Sequence, residues 1–258
     1  MSETLFMIHG MSCGSWMWDN YKTFFAAKGF TCVTPTLRHH EAGPDALPLS
    51  LGTLSLLDYA ADLEKEIRAL DQRPILMGHS MGGLLAQILA ARGLAKAVVL
   101  LAPAPPAGIF SLNSDAVLSF GTLLGTWAFW EKPFRMEFAG LTHALLNRMP
   151  ESAHQDIYEK LGYESGRAAF EIGMWFMDPA GAAQVDAERL TCPVLAVVGE
   201  EDRITSARTI RKIADKYAPL STYKKFPGHA HWLIQEPGWQ AVAEYVETWM
   251  ADKTGHPG

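Results

Sequence analysis

Gly78-His79-Ser80-Met81-Gly82 spells G-x-S-x-G, the pattern of a serine set on a sharp turn between a strand and a helix. A side chain at 78 or 82 would collide with neighbouring backbone, so glycine is required at both. The helix that follows aims its N-terminus at the serine and favours negative charge developing there. The chemistry this suits is nucleophilic attack on a carbonyl, and a serine needs a base to take its proton as it attacks. Serines on such turns are followed along the chain by the acid and then the histidine. The late histidines are His229, His231 and His256. His231, directly before the apolar Trp232-Leu233-Ile234, is the preferred base, with His229 as the alternative; His256 sits in a Gly/Pro tail. The base needs a carboxylate to fix its tautomer. Asp202, in Val198-Gly-Glu-Glu-Asp-Arg203, is the choice, with Glu200 and Glu201 read as solvated neighbours. Asp178, before Pro179, is the less favoured acid, and its plain reading is a turn initiator. A tetrahedral intermediate needs two donors on its oxygen. The backbone N–H of Met81 is one. The other is expected from His9-Gly10-Met11-Ser12, with Met11 N–H as donor and His9 bracing the loop.

These residues need a scaffold, and the chain alternates short apolar runs with helical patterns, the signal of a parallel sheet covered on both faces. Strands are expected at 5–9, 30–34, 75–78, 97–101, 194–198 and 221–226. Helices are expected at 16–28, 54–70, 81–92 and 239–251, with Gly29 and Gly93 closing two of them. A loop holding Gly43, Pro44 and Pro48 follows the second strand. Residues 104–190 break the rhythm, show no clear strand and are rich in Trp, Phe and Met. They are too long for a structureless loop and read as a helical cap inserted before the fifth strand. The division is therefore a core of 1–103 and 191–258 with a cap of 104–190. Trp127, Trp130 and Trp175 of the cap, with Trp16, Trp18 and Trp232 beside the catalytic loops, are candidate substrate contacts. Cys13 is a further neighbour of the donor loop. His39-His40-Glu41 reads as a surface loop at the rim, because adjacent histidines do not easily share one ion; neither a metal nor another cofactor is expected.

Composition narrows the class. The chain has 258 residues, 48% hydrophobic and 19% charged, which excludes a disordered chain. A formal net charge of −6 lacks the basic excess that nucleic acid demands. Three scattered cysteines, at 13, 32 and 192, make no disulfide framework and read as reduced thiols of a cytoplasmic protein. The opening residues carry no basic signal segment and no run is long enough to span a bilayer.

His9-Gly10, Gly78-His-Ser80-Met-Gly-Gly83, Gly199-Glu-Glu-Asp202 and Gly228-x-x-His231-Trp occur in order, and with them the chain resembles the α/β-hydrolases. The resemblance covers about 1–103 and 191–252 and implies an α/β fold with a mostly parallel sheet of about six strands. An early first strand is similar to the compact branch of plant methylesterases and hydroxynitrile lyases. Relatives of the lyase kind carry a threonine after the first strand and a lysine after the catalytic histidine; here stand Met11 (or Gly10) and Trp232. Dehalogenases and epoxide hydrolases of this fold use an aspartate where Ser80 stands. The resemblance therefore implies a serine carboxylester hydrolase for small-to-medium apolar esters, working through Ser80, Asp202 and His231. A lactonase, a cofactor-free oxygenase or perhydrolase, a C–C hydrolase and a non-enzymatic small-molecule receptor are the alternatives.

Overall fold

The computed structural model describes residues 2–41, 47–111 and 113–255; Gly43, Pro44 and His256 lie outside them. Along the chain run β1 (Thr4–Ile8), α1 (Asp19–Ala27), β2 (Thr31–Val33), α2 (Leu56–Arg68), β3 (Ile75–His79), α3 (Met81–Ala91) and β4 (Ala97–Leu101). Then come α4 (Ser114–Ser119), α5 (Gly121–Leu124), β5 (Pro133–Phe134), α6 (Phe138–Ala144), α7 (Glu151–Lys160), β6 (Glu164–Ser165) and α8 (Gly166–Gly173). The chain closes with β7 (Val194–Gly199), α9 (Ala207–Lys216), β8 (Ser221–Phe226) and α10 (Trp239–Thr254).

Six strands form one parallel sheet in the order β2-β1-β3-β4-β7-β8. The four central strands are buried on both faces, which is why their sequences are continuous apolar runs rather than alternating ones. The period of two still sorts the side chains. Phe6, Ile8, Leu76, Val98, Leu100, Val194 and Ala196 join one core with α2, α3 and α9. Leu5, Met7, Ile75, Met77, Val99, Leu101 and Leu195 join the other with α1 and α10. Helix α9 escaped the sequence reading because Arg208, Arg211, Lys212, Asp215 and Lys216 swamp its apolar stripe of Ile210, Ile213 and Ala214. Because all six strands run the same way, their C-terminal ends gather at one edge, and the loops that follow β1, β3, β7 and β8 meet there.

Residues 104–190 lie between β4 and β7 and hold α4 to α8. They also hold a feature that the sequence did not signal. β5 and β6 pair antiparallel through Pro133–Ser165 and Phe134–Glu164, and two-residue strands are too short to show an alternation. Leu123, Phe129 and Phe170 make a small apolar core here, with Phe120, Trp130 and Phe134 against it. Gly166 allows the backbones to close up, since a Cβ there would sit 1.9 Å from Phe129 O.

Candidate active site

Ser80 has φ 52° and ψ −119°, a conformation L-residues avoid unless their surroundings enforce it. Its N–H donates to Leu101 O at 3.1 Å, and its carbonyl accepts from Gly83 N at 2.9 Å and Ala104 N at 2.8 Å. The flanking glycines are steric necessities. A Cβ at Gly78 would lie 2.2 Å from Gly82 O, and one at Gly82 would lie 2.2 Å from Ile8 O. Met81 opens α3, so its N–H has no acceptor within the helix and stands beside Ser80 as a free donor.

Asp202 follows β7 and His231 follows β8, and the two side chains are buried 2.9 Å apart, Nδ1 to Oδ2. The carboxylate is held from four sides. Ile204 N and Thr205 N donate to Oδ1, each at 2.8 Å, and Thr205 Oγ1 lies 3.0 Å from Oδ2. A carboxylate at Nδ1 puts the ring proton there and leaves Nε2 free to accept one. The loop that carries His231 is itself braced. His79 Nε2–H donates to His231 O at 2.8 Å, and burial lowers the His79 pKa to about 3, so this ring is a neutral strut. Glu236 is fully buried and accepts from Ala230 N at 2.8 Å and Trp232 N at 3.1 Å, the two amides flanking His231. His229 faces the same carboxylate at 3.2 Å, not Asp202.

The remaining acidic candidates lie elsewhere. Glu200 pairs with Lys225 and Glu201 with Arg148 at the surface. Asp178 accepts from Ala180 N and Ala182 N, at 3.1 and 2.7 Å, as a turn residue does.

The loop after β1 forms a turn closed by Cys13 N donating to Gly10 O at 3.3 Å. Ser12 has φ 60°, the value that the third residue of a type II turn requires. His9 is buried, donates from Nδ1 to Gly10 O at 2.8 Å and accepts Leu37 N–H at Nε2, 3.0 Å away. Burial holds its pKa down to about 3, so it stays neutral and braces the loop. The rim reading of His40 is corrected here. Its side chain is 1% exposed and lies 3.1 Å from Glu164 of β6. Burial pushes the His40 pKa down, but the Glu164 carboxylate and the backbone hydrogen bonds of Arg38 and Leu37 together reverse this, so it lies above the usual imidazole value.

Two cavities meet at Ser80. The larger, about 180 Å³, is walled by Met11, Met81, Phe120, Leu123, Phe129 and Ile172 among others. The smaller, about 40 Å³, holds His231, Trp232, Cys13, Leu141 and Leu161. Met11, Ser80, Phe120 and Ile204 border both. Of the six tryptophans singled out from the sequence, Trp232 lines a cavity at Ser80. Trp16 packs against Trp232 at 6.2 Å between ring centres. Trp18 is wholly buried against Tyr21, Trp127 is 84% exposed, Trp130 packs on Phe129 and Phe170, and Trp175 packs on Phe110 and Phe176. Sequence reasoning passed over Phe120, Ile204, Thr205 and both glutamates. Glu236, five residues after His231 and followed by Pro237, was the one within local reach.

A non-heme chloroperoxidase from Burkholderia pyrrocinia is 26% identical over 239 residues, 88% of this chain and 84% of that protein. A pyrethroid hydrolase from Sphingobium faniae superposes with a TM-score of 0.74 at 16% identity, covering 100% of both chains. A methylesterase from Arabidopsis gives 0.71 at 16% identity, over 96% of this chain and 99% of that one. Those likenesses carry the fold from end to end, and the sequence model of the family matches residues 5–245, from the first strand into the last helix: the chain belongs to the alpha/beta hydrolase family.

Proposed function

We propose that this protein is a serine carboxylester hydrolase for esters that join a medium-sized, apolar, uncharged acid to a short alcohol. The observation that carries the reading is one geometry. Ser80 sits strained on the turn that opens α3, and it lines one cavity with His231, which is buried 2.9 Å from Asp202. Ser80 Oγ attacks the carbonyl carbon as His231 Nε2 takes its proton, and Met11 N–H and Met81 N–H receive the oxyanion. His231 then gives that proton to the departing alkoxide, so the C–O bond breaks and an acyl-Ser80 remains. Water, deprotonated by His231, attacks this ester, and the acid leaves as the proton returns to Ser80. Residues 104–190 act as the cap over these steps, supplying Phe120, Leu123 and Phe129 to the larger cavity.

The division between acid and alcohol follows from where the proton goes. The leaving oxygen must face His231, and His231 lines the smaller cavity. The alcohol therefore occupies about 40 Å³, room for about one water-sized group. The acyl chain takes the apolar 180 Å³ on the side of Met81, room for about six such groups. Proton release from methyl and butyl esters of graded acids tests this, with wild type beside Ser80→Ala and His231→Ala. Methyl esters of medium acids should be the best substrates, and kcat should fall about 10³-fold or more in each variant. Wild-type turnover retained by Ser80→Ala would sink the mechanism, and a preference for butyl over methyl would sink the pocket assignment.

The chloroperoxidase relative favours a second reading on the same intermediate. Hydrogen peroxide in place of water would attack acyl-Ser80 and release a peracid, which oxidises halide in solution. Halogenation that needs both a carboxylic acid and peroxide, and is lost in Ser80→Ala, would support it.

A further inference from the structure

The Met11 donor sits on a turn that cannot hold its shape alone. Ser12 adopts φ 60° without being glycine, at a cost for any residue with a Cβ. Reversing the Met11–Ser12 peptide converts a type II turn to type I and relieves that φ. What opposes the reversal comes from residues 104–190. Ser12 N–H donates to Glu164 Oε2 at 2.9 Å, and Gly162 N–H donates to Ser12 O at 2.8 Å. The first bond holds the Met11–Ser12 peptide that a reversal would turn over, and the second anchors the Ser12–Cys13 peptide that follows it; the Met11 N–H, on the preceding Gly10–Met11 peptide, is placed by the turn these two bonds fix.

Glu164 is built for this. It is 0% exposed, and each of its oxygens takes two donors. Oε2 receives Ser12 N–H and His40 Nε2–H at 3.1 Å, while Oε1 receives Tyr59 OH at 3.0 Å and Ser165 N–H at 2.7 Å. Burial raises its pKa, but His40 and the amides outweigh that and keep it below the ordinary carboxylate value. The His40 ring meets an acceptor at each nitrogen, Glu164 at Nε2 and Arg38 O at Nδ1, 3.1 Å away, so it carries both protons and is the counter-ion. A reversed peptide would turn the Met11 carbonyl toward this ionised oxygen, and the repulsion closes that route.

We infer that Glu164 is the positioning residue of the oxyanion loop, so that the segment between β4 and β7 completes the catalytic apparatus as well as walling the substrate cavity. The inference rests on the ester-hydrolase reading.

The test uses the full-length protein with Glu164→Gln, which keeps shape but turns an amide donor on donors, and Glu164→Asp, which keeps charge but is shorter. Kinetics on the best methyl ester, inhibition by phenylboronic acid, thermal melting and amide hydrogen exchange at 10–14 are measured together. The expected result is cooperative melting, exchange at Ser12 and Cys13 at least about tenfold faster, and kcat about 10- to 100-fold lower with KM within about twofold. Boronate inhibition should weaken in step with kcat, because a tetrahedral adduct needs the loop as the transition state does. A folded variant with kcat within about twofold of wild type overturns the inference. So does unchanged exchange, or a loss of activity that comes only with loss of cooperative melting in both variants. Failure of the ester-hydrolase reading would show instead in the wild type, as no ester turnover and no boronate inhibition.

Discussion

The loop carrying His231 and the loop carrying Met11 are held by the same device. In each, a fully buried glutamate accepts backbone amides, two from the His231 loop and one from the Met11 loop, and faces a histidine outside the proposed catalytic set. Glu236 takes Ala230 N, Trp232 N and His229; Glu164 takes Ser12 N, Ser165 N and His40. They differ in reach. Glu236 lies within seven residues of everything it holds in its own loop, counting back to His229. Glu164 crosses 152 residues to Ser12. A local clamp forms as its loop forms. A remote one forms only when the segment between β4 and β7 docks, so the loop of the proposed Met11 donor depends on that docking more than the His231 loop does, which the segment meets at Gly228 through Arg148.

The sharpest way to break the comparison is Glu236→Ala. It strands two buried amides, each costing about 1–3 kcal/mol unpaired, and frees the loop that aims His231. Activity should fall about 10³-fold with a clear loss of thermal stability, measured by kinetics and circular-dichroism melting. An active variant with an unchanged melt would show that His79 and Asp202 hold His231 without it. Next comes the conservative pair. Glu236→Gln keeps one amide oxygen for Ala230 or Trp232 within a loop also fixed by His79, so a loss of about tenfold is expected. Glu164→Gln leaves the Met11 loop to His9 and Gly162 and also removes the charge that faces His40, so it should lose more. The reverse ranking would mean that the remote clamp is the weaker.

Reach also decides what could be read from the sequence. Gly78, Ser80 and Gly82 are legible because a Cβ 2.2 Å from backbone oxygen is forbidden in any context. Asp202 and His231 are legible as candidates because each follows a strand whose end must face the site. Glu236 was within local range and was missed for want of a reason to bury it. Glu164 carries no local signal that would mark it, since apart from the adjacent Ser165 N its donors come from α2, the Met11 loop and His40. The same holds for His40, whose polar neighbours suggest a rim and whose partner lies 124 residues on. Tryptophan is the plainest case. Its size promises contact but names no partner, so Trp18 is wholly buried in the core while Trp127 is 84% exposed.

The two clamps should also part company with pH. The His40 pKa is raised in the folded protein, so its stabilisation is complete below about 6.5 and is lost as pH rises through the raised value. Glu164 contributes above the ordinary carboxylate range and loses its share only as pH falls through its lowered value. Raising the pH through the His40 titration should therefore loosen the Met11 loop. Hydrogen exchange at Ser12, corrected for the intrinsic pH dependence, should rise through that titration by about tenfold while exchange at Ala230 and Trp232 does not. Equal response of both loops would refute the separation.

The smallest effect concerns a second carboxylate from the same segment. Glu171 of α8 accepts from Ser55 Oγ at 2.9 Å and Leu56 N at 2.8 Å, at the start of α2. Its counter-ion is weaker than that of Glu164, since Arg167 is partly exposed and stands 3.9 Å away. Burial therefore prevails over these hydrogen bonds and raises its pKa to about 7. Its ordinary value is 4.5, so the unfolded chain releases this proton first, and stability falls as pH rises from about 4.5 to about 7. Above that window the folded protein carries a poorly compensated buried charge between the segment and the body. Glu171→Gln keeps an oxygen for Ser55 and Leu56 but cannot ionise. The variant should match wild type near pH 5 and exceed it by about 1 kcal/mol near pH 8, or about 2–4 °C in Tm. Parallel stability curves across that range would show that Glu171 does not titrate there. A variant less stable at both ends would show that the ionised form is the one α2 requires, which would make Glu171 a second Glu164 and not its contrast.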